Sequence, residues 1–267
     1  MGKRTPLAKD EHHLDLVQTL IQTNFLFKGF ESSWLATYLP LESLKAEKFF
    51  SSRPIYTAFQ PGEPIQVLYA LVSGGPVIVR STPLDRVIGI TYPGSCFGMR
   101  NLPVAFGGIQ YAFPSLVEAY KTANVITIPL TAIQNLYQNS QEFQDRYHTL
   151  FELREKFQYH LLNCSAYPPQ AVASLLRALI YQERELGNQP TEEGFYLFDL
   201  PIDIIARASQ LNQRTVEQVL KGMSKVGLLQ VVEDHDSSSD LLRVVAPEML
   251  KEVYGTTRDK VHWWPLR

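Results

Sequence analysis

The sequence predicts an α+β chain with three parts: a β-roll or jelly-roll sensor domain, a long dimerisation helix and a C-terminal winged helix-turn-helix. Three observations predict it. Short Val/Ile/Tyr-rich runs broken by Gly and Pro fill residues 41–130. An apolar heptad occupies residues 143–164. Residues 199–245 then give helix, turn, helix and hairpin signals in that order. The expected domains are an N-terminal helical extension (1–40), the β-roll (41–130), the dimerisation helix (131–166), the winged helix (167–255) and a C-terminal tail (256–267).

In the extension, Leu14, Val17, Leu20 and Ile21 form one stripe at helical spacing, and Trp34, Leu35, Tyr38 and Leu39 form another. His12 and His13 are adjacent, so on a helix they point apart; with no third ligand nearby they read as a surface pair rather than a metal site. Strands are expected at Val67–Val72, Pro76–Arg80, Val87–Tyr92 and Val125–Pro129, with turns at Pro61–Pro64, Ser73–Pro76 and Pro93–Ser95. Phe143, Tyr147, Leu150, Arg154, Phe157, Leu161 and Cys164 alternate spacings of four and three, over about three heptads. That stripe reads as a parallel two-helix dimer seam; it also suits a helix packed on its own domain. An Arg inside a seam needs an anion or an acid, and Glu152 and Glu155 are close in sequence. Pro168-Pro169 stops the helix, and Gln170–Glu185 starts another.

The winged helix is expected to place a first helix at Asp203–Ser209, a turn at Gln210–Gln213 and a second helix at Arg214–Lys225. Ile205, Leu211, Val216, Val219 and Leu220 supply the inner face, and Ala206 is small where two helices cross. Asn212 can accept from the free N–H groups opening the second helix, and Gly227 suits the left-handed residue closing it. Leu228–Glu233 and Leu241–Val245 flank a polar, acidic tip, as in a β-hairpin. A domain of this shape puts its second helix in the DNA major groove; the competing reading is an ordinary helical domain. On the DNA reading, Gln213, Arg214, Gln218 and Glu217 are candidates for base edges. Thr215, Lys221 and Lys225 are candidates for phosphates. The alternative for these side chains is solvated surface.

Charge qualifies this picture. The chain of 267 residues carries a formal −2, and from Tyr167 onward eleven cations face fourteen carboxylates. Local placement of charge, not its total, must carry any DNA binding, which is then expected to be salt-sensitive. There is no apolar run of transmembrane length, so no membrane role is expected, and the polar N-terminus does not read as a secretory signal. Two cysteines, Cys96 and Cys164, support neither a disulfide framework nor a four-thiolate site, so a reducing cytoplasm is expected. Neither a Gly-rich phosphate loop, a nucleophile elbow nor a metal-ligand helix occurs, so no enzyme activity and no cofactor are expected. The tail carries Trp263-Trp264, read as docking on its own domain or on a partner, with the first preferred.

The pieces in this order resemble the Crp–Fnr superfamily of transcription regulators, from about Asn24 to Tyr254. Phe25–Phe30, Pro61–Gly74 and Tyr92–Gly98 resemble its cyclic-nucleotide-type domain; Asp199–Ala206, Gln213–Val216 and Gly227–Leu229 resemble its DNA-binding domain. The departures are specific. Met99 stands where the cyclic-nucleotide binders of that superfamily place a ribose-holding Glu, and Ala112–Ser115 lacks their phosphate-clamping Arg. A buried cyclic phosphate would be poorly compensated there, so the effector implied is not cAMP. An N-terminal cysteine cluster of the oxygen-sensing kind is also absent from the sequence. A pocket of Phe97, Gly98, Met99, Arg100 and Arg154 could instead hold a small anionic metabolite through two guanidinium groups. The open alternatives are a solvated Arg100 with a locally paired Arg154, and no effector at all. Of the recognition-helix pattern Arg-Glu-Thr with a further Arg, only Thr215 is kept; Gln213, Arg214 and Gln218 fill the other places. The resemblance thus implies a homodimeric regulator reading a pseudo-palindromic duplex, with RNA polymerase or another regulatory protein as a further partner. The alternative is a protein-interaction or ligand-sensing module on the same scaffold with reduced DNA reading.

Overall fold

The computed structural model describes residues 6–40, 43–58, 66–81, 85–98, 115–162, 167–233 and 240–253. Contacts divide the chain into two compact units, Met1–Pro83 with Ile90–Glu152 and Leu84–Gly89 with Leu153–Arg267.

The first unit opens with α1 (Pro6–Thr23) and α2 (Ser32–Tyr38). Val17, Leu20, Leu35 and Leu39 from the two predicted stripes are buried, each stabilising by roughly 1.5–3 kcal/mol. α1 packs on a strand of the roll and on α2, so the described part of the N-terminal segment is built into this unit. Asn24, just past α1, is buried and satisfied. Its side chain donates to Ser95 O at 3.1 Å and accepts from the Leu26 N–H at 3.1 Å.

The roll comprises β1 (Lys45–Phe49), β2 (Pro54–Ala58), β3 (Val67–Gly74), β4 (Val77–Ser81), β5 (Arg86–Thr91), β6 (Cys96–Gly98), β7 (Ser115–Ala119) and β8 (Ala123–Pro129). They form two four-stranded sheets, in the orders β1-β8-β3-β6 and β2-β7-β4-β5. Leu71, Phe97, Ala123 and Val125 from the first sheet meet Val77, Val117 and Ala119 from the second in one core cluster. Inward alternation along each strand is what lets two such faces close on each other. The β3–β4 turn depends on glycine: Gly74 has φ +76°, and a Cβ there would lie 2.0 Å from the Thr122 carbonyl oxygen.

The helical stretch after the roll is not one helix. α3 (Leu130–Asn139) ends at Ser140, which is extended at φ −145° and ψ 116°, and α4 (Gln141–Leu162) begins anew. The Ser140 hydroxyl accepts from the Phe143 N–H at 3.1 Å, capping an otherwise orphaned donor. The seam expectation changes as a result. Phe143 is fully buried against Phe27 at 5.8 Å between ring centroids, and Tyr147 is buried with its ring edge toward Tyr137 at 5.9 Å. Both are committed inside their own unit and have no open surface for a second copy. Arg146, on the same helix, reinforces this docking by donating to the Phe25 and Lys28 carbonyls and to Glu142, with its guanidinium over the Phe30 ring. Leu150 and Phe157 are also buried, and Arg154 is half-buried. The side chain of Leu161, and Cys164 altogether, lie outside the described residues.

The second unit contains α5 (Pro168–Glu185), β9 (Tyr196–Asp199), α6 (Ile202–Ser209), α7 (Gln213–Lys225), β10 (Leu229–Glu233) and β11 (Asp240–Val244). α5 enters through Pro168-Pro169, where a missing N–H costs nothing, and buries Val172, Leu175, Leu176 and Leu179. The three strands pair antiparallel in the order β10-β11-β9. Among the described residues no helix is long and apolar enough to cross a membrane.

Candidate nucleic-acid interface

The candidate surface is built on α6 and α7. α6 ends at Gln210, a left-handed residue at φ 56°, and the Leu211 N–H closes onto the Ala206 carbonyl at 3.0 Å. This turn replaces the glycine that often ends a helix. Asn212 caps α7 as its sequence position predicts: Oδ1 accepts from the Thr215 N–H at 2.8 Å and from the Thr215 hydroxyl at 3.0 Å. Such a cap stabilises a helix by about 1 kcal/mol. Because the Thr215 hydroxyl is engaged there and the residue is only partly exposed, its first job is to fix the helix start. At the far end Gly227 has φ +76°, the left-handed conformation that the sequence predicts.

α7 is two-faced. Val216, Val219, Leu220 and Met223 are buried against the domain, while Gln213, Arg214, Glu217, Gln218, Lys221 and Lys225 are all exposed. Offsets of three and four between Arg214, Gln218, Lys221 and Lys225 put them on one outward stripe about 16 Å long, at 1.5 Å per residue. The described charges on that stripe are three cations and the Glu217 carboxylate, so it is locally basic in a unit whose sequence is net acidic. A duplex offers phosphates to the cations and base edges to the amides and the guanidinium. Beside the helix, β10 and β11 pair from Leu229↔Val244 to Glu233↔Asp240; β10 starts one residue later than expected and β11 lies one residue earlier, while Glu233 ends β10 as expected. The acidic tip between them lies outside the described residues.

Two features of this unit are not legible in the sequence. β9 pairs Tyr196–Asp199 with Val244–Leu241 and turns the hairpin into a three-stranded sheet. Its alternation, Tyr196 and Phe198 in and Leu197 out, is present in the sequence but too short to separate from loop. A groove of about 470 Å³ also opens beside α7, with Tyr167, Val226, Met223 and Val253 among its walls. The exposed apolar Val226, stranded between Lys225 and Gly227, is the signal that could have found it.

The predicted effector residues fare differently. Phe97 is a core residue. It is buried, and its ring stacks on Tyr69 at 4.9 Å and 6°, so no ring face is left for a ligand. Burial, with the Glu47 charge as a smaller cause, raises the Tyr69 phenol above its ordinary pKa. Gly98 has φ +99°, and a Cβ there would meet Tyr69 Cδ2 and the Val67 carbonyl oxygen at 2.6 Å. Its role is thus to let β6 pass the Tyr69 ring. Met99 and Arg100 lie outside the described residues, and Arg154 belongs to the other unit. Cys96 is buried and its thiol donates to Asn24 Oδ1 at 3.4 Å, which makes it a satisfied core thiol rather than a reactive one. Among the described residues no cluster of His, Cys, Asp and Glu is placed to hold a metal. The His12 and His13 side chains, the Glu155 side chain and Trp263-Trp264 lie outside the described residues.

No protein-family model matches the sequence, and no curated protein matches it. Solved structures do. FixK2 from Bradyrhizobium japonicum superposes with a TM-score of 0.57 at 15% identity, covering 79% of this chain and 96% of that one. A CooA mutant from Carboxydothermus hydrogenoformans gives 0.58 at 17%, covering 87% and 96%. TTHB099 from Thermus thermophilus, described as a transcriptional regulator of the CRP family, gives 0.50 at 19%, covering 79% and 97%. At these identities the likeness speaks for architecture: a β-roll followed by a long helix and a winged helix, the fold of the Crp–Fnr regulators.

Proposed function

We propose that the chain is a homodimeric, sequence-specific DNA-binding transcription regulator whose effector, if it has one, is not cAMP. The observation that carries this reading is the outward stripe of α7. Arg214, Gln218, Lys221 and Lys225 are exposed on a helix whose other face is fully committed to the domain, and Asn212 fixes where that helix begins. Exposed amide, guanidinium and ammonium groups on a rigid helix are what base edges and phosphates need. TTHB099 from Thermus thermophilus, a transcriptional regulator of similar architecture, agrees with this reading. Gln213, Arg214, Gln218 and Glu217 are assigned to base edges, and Lys221 and Lys225 to phosphates, with Thr215 positioning the helix start. The second copy is assigned to the last turns of α4, where Leu161 continues the heptad, because Phe143, Tyr147, Leu150 and Phe157 are already buried within the chain itself.

The test is Arg214→Ala, measured as affinity for a duplex selected by the wild-type protein. Loss of one bidentate base contact predicts a drop of ~5–150-fold, about 1–3 kcal/mol, with thermal stability unchanged because Arg214 is exposed. A variant binding the selected duplex as tightly as wild type would overturn the assignment. It would also favour the second reading, a protein-interaction module, which the missing Arg-Glu-Thr pattern supports.

A further inference from the structure

We infer that the groove beside α7 is the docking site of this chain's own C-terminal segment, residues 254–267, which inserts Trp263-Trp264 in cis. Such docking does not depend on any DNA role. Leu250 is fully buried, and the Glu248 carboxylate pairs with Arg184 at 2.5 Å. These two anchors fix the exit point of the chain, and Val253, the last described residue, is itself part of the groove wall. Val253 thus puts the end of the described chain on the groove wall.

The groove suits the chemistry of that segment. It holds about 470 Å³, within the range of about 300–1,000 Å³ typical of clefts that take ring systems. Tyr167, Pro168, Val219, Met223 and Val226 give it apolar walls. Tyr167 and Val226 are 58% and 71% exposed, which makes them two of the most open large apolar side chains described. Gly222 leaves a gap in the helix wall, since a Cβ there would meet nothing within 4 Å. The segment supplies two adjacent indoles followed by Pro265 and Leu266, ten residues beyond Val253 at the first indole. Ten residues span at most about 33–36 Å, ample for a loop that turns back on its own exit point. An indole buries a large ring surface while its N–H can stay at a wet edge, which suits an open groove. A cis segment also meets the groove at high effective concentration, since its tether starts on the wall. Thr215 and Gln218 line the groove as well, so the docked segment would border the surface assigned above to DNA.

The test reads the two tail indoles in the full chain as the difference in fluorescence emission between wild type and the double variant Trp263→Phe, Trp264→Phe. The expected difference spectrum is blue-shifted and protected from acrylamide, and independent of protein concentration. Val226→Glu, which places a carboxylate on an exposed wall position, is expected to move it to the solvent value. Gly222→Glu is expected to do the same one helical turn earlier on the same wall, and thermal melts establish that both variants remain folded. A solvent-like spectrum in wild type overturns the inference. So does a blue shift that survives both substitutions, which would place the tail elsewhere. A blue shift that disappears on dilution overturns it in favour of docking on a second copy.

Discussion

At the scale of single residues, the sequence is most reliable where one side chain satisfies one backbone need. Asn212 and Gly227 are legible because a helix start lacks acceptors and a helix end wants a left-handed residue, and both hold. Phe97 is not legible in this way. Its place after a glycine turn suits a pocket, yet the ring is absorbed by Tyr69, a partner that strand pairing supplies from 28 positions earlier. Glu183 adds a residue-scale prediction. Burial raises its carboxyl above the usual range, while the hydrogen bond from Asn188 Nδ2 at 2.7 Å pulls the other way. A carboxyl with a raised folded-state pKa binds its proton more tightly in the native state. The stability it contributes is therefore full in acid and lost as pH rises through the folded value. Glu183→Gln keeps the acceptor and removes the charge, so its melting temperature should exceed wild type near neutral pH. That advantage should shrink toward zero as the medium falls below the unfolded carboxylate range, about pH 4. Equal melting temperatures at neutral pH would show that burial does not penalise this carboxylate.

At the scale of elements, strands long enough to show alternation or an apolar run are legible, and short or edge strands are not. β3, β4, β5 and β8 fall within two residues of their expected positions. β1 escapes a sequence reading because Lys45–Lys48 are all exposed: an edge strand paired only to β8 needs no apolar face. The break at Ser140 escapes it because a single polar residue in a helical pattern carries no stop signal, although its hydroxyl begins the next helix. Turns give the sharper test. Gly227→Ala meets open space and is penalised only for its left-handed backbone, about 1–2 kcal/mol. Gly74→Ala must in addition displace the backbone at Thr122, so it should lower the melting temperature clearly more than Gly227→Ala does. Similar losses would mean that the β3–β4 turn relaxes without cost. In α4, Phe143→Ala should destabilise the fold by about 3–5 kcal/mol while leaving the oligomeric state alone, because that ring packs on Phe27. Leu161→Glu should do the reverse, converting a dimer to monomers in analytical ultracentrifugation with little change in the roll. Monomers produced by Phe143→Ala in a still-folded protein would return the seam to the N-terminal half of the helix.

At the scale of the whole molecule, order carries more information than any single motif. A roll, a long helix, a diproline and a winged helix in sequence identify the architecture even at 15–17% identity to solved structures. Order does not supply the ligand chemistry of the roll, because that depends on which side chains the sheets turn inward, and Phe97 is turned inward as core. Charge belongs to this scale too. With a net −2 on the chain, the DNA association proposed for it would come from the α7 stripe against an unfavourable background. Binding should then weaken steeply with added salt, as expected when a few phosphate contacts release counterions.

The first measurement to make is selection of duplexes from a random library by the purified protein at low salt, followed by titration of the winner at rising salt. We predict an enriched pseudo-palindrome, its half-sites about 10–10.5 base pairs apart centre to centre, with affinity that falls as salt rises. A library that emerges unenriched at low salt would contradict the assignment of α7 as a helix that reads DNA.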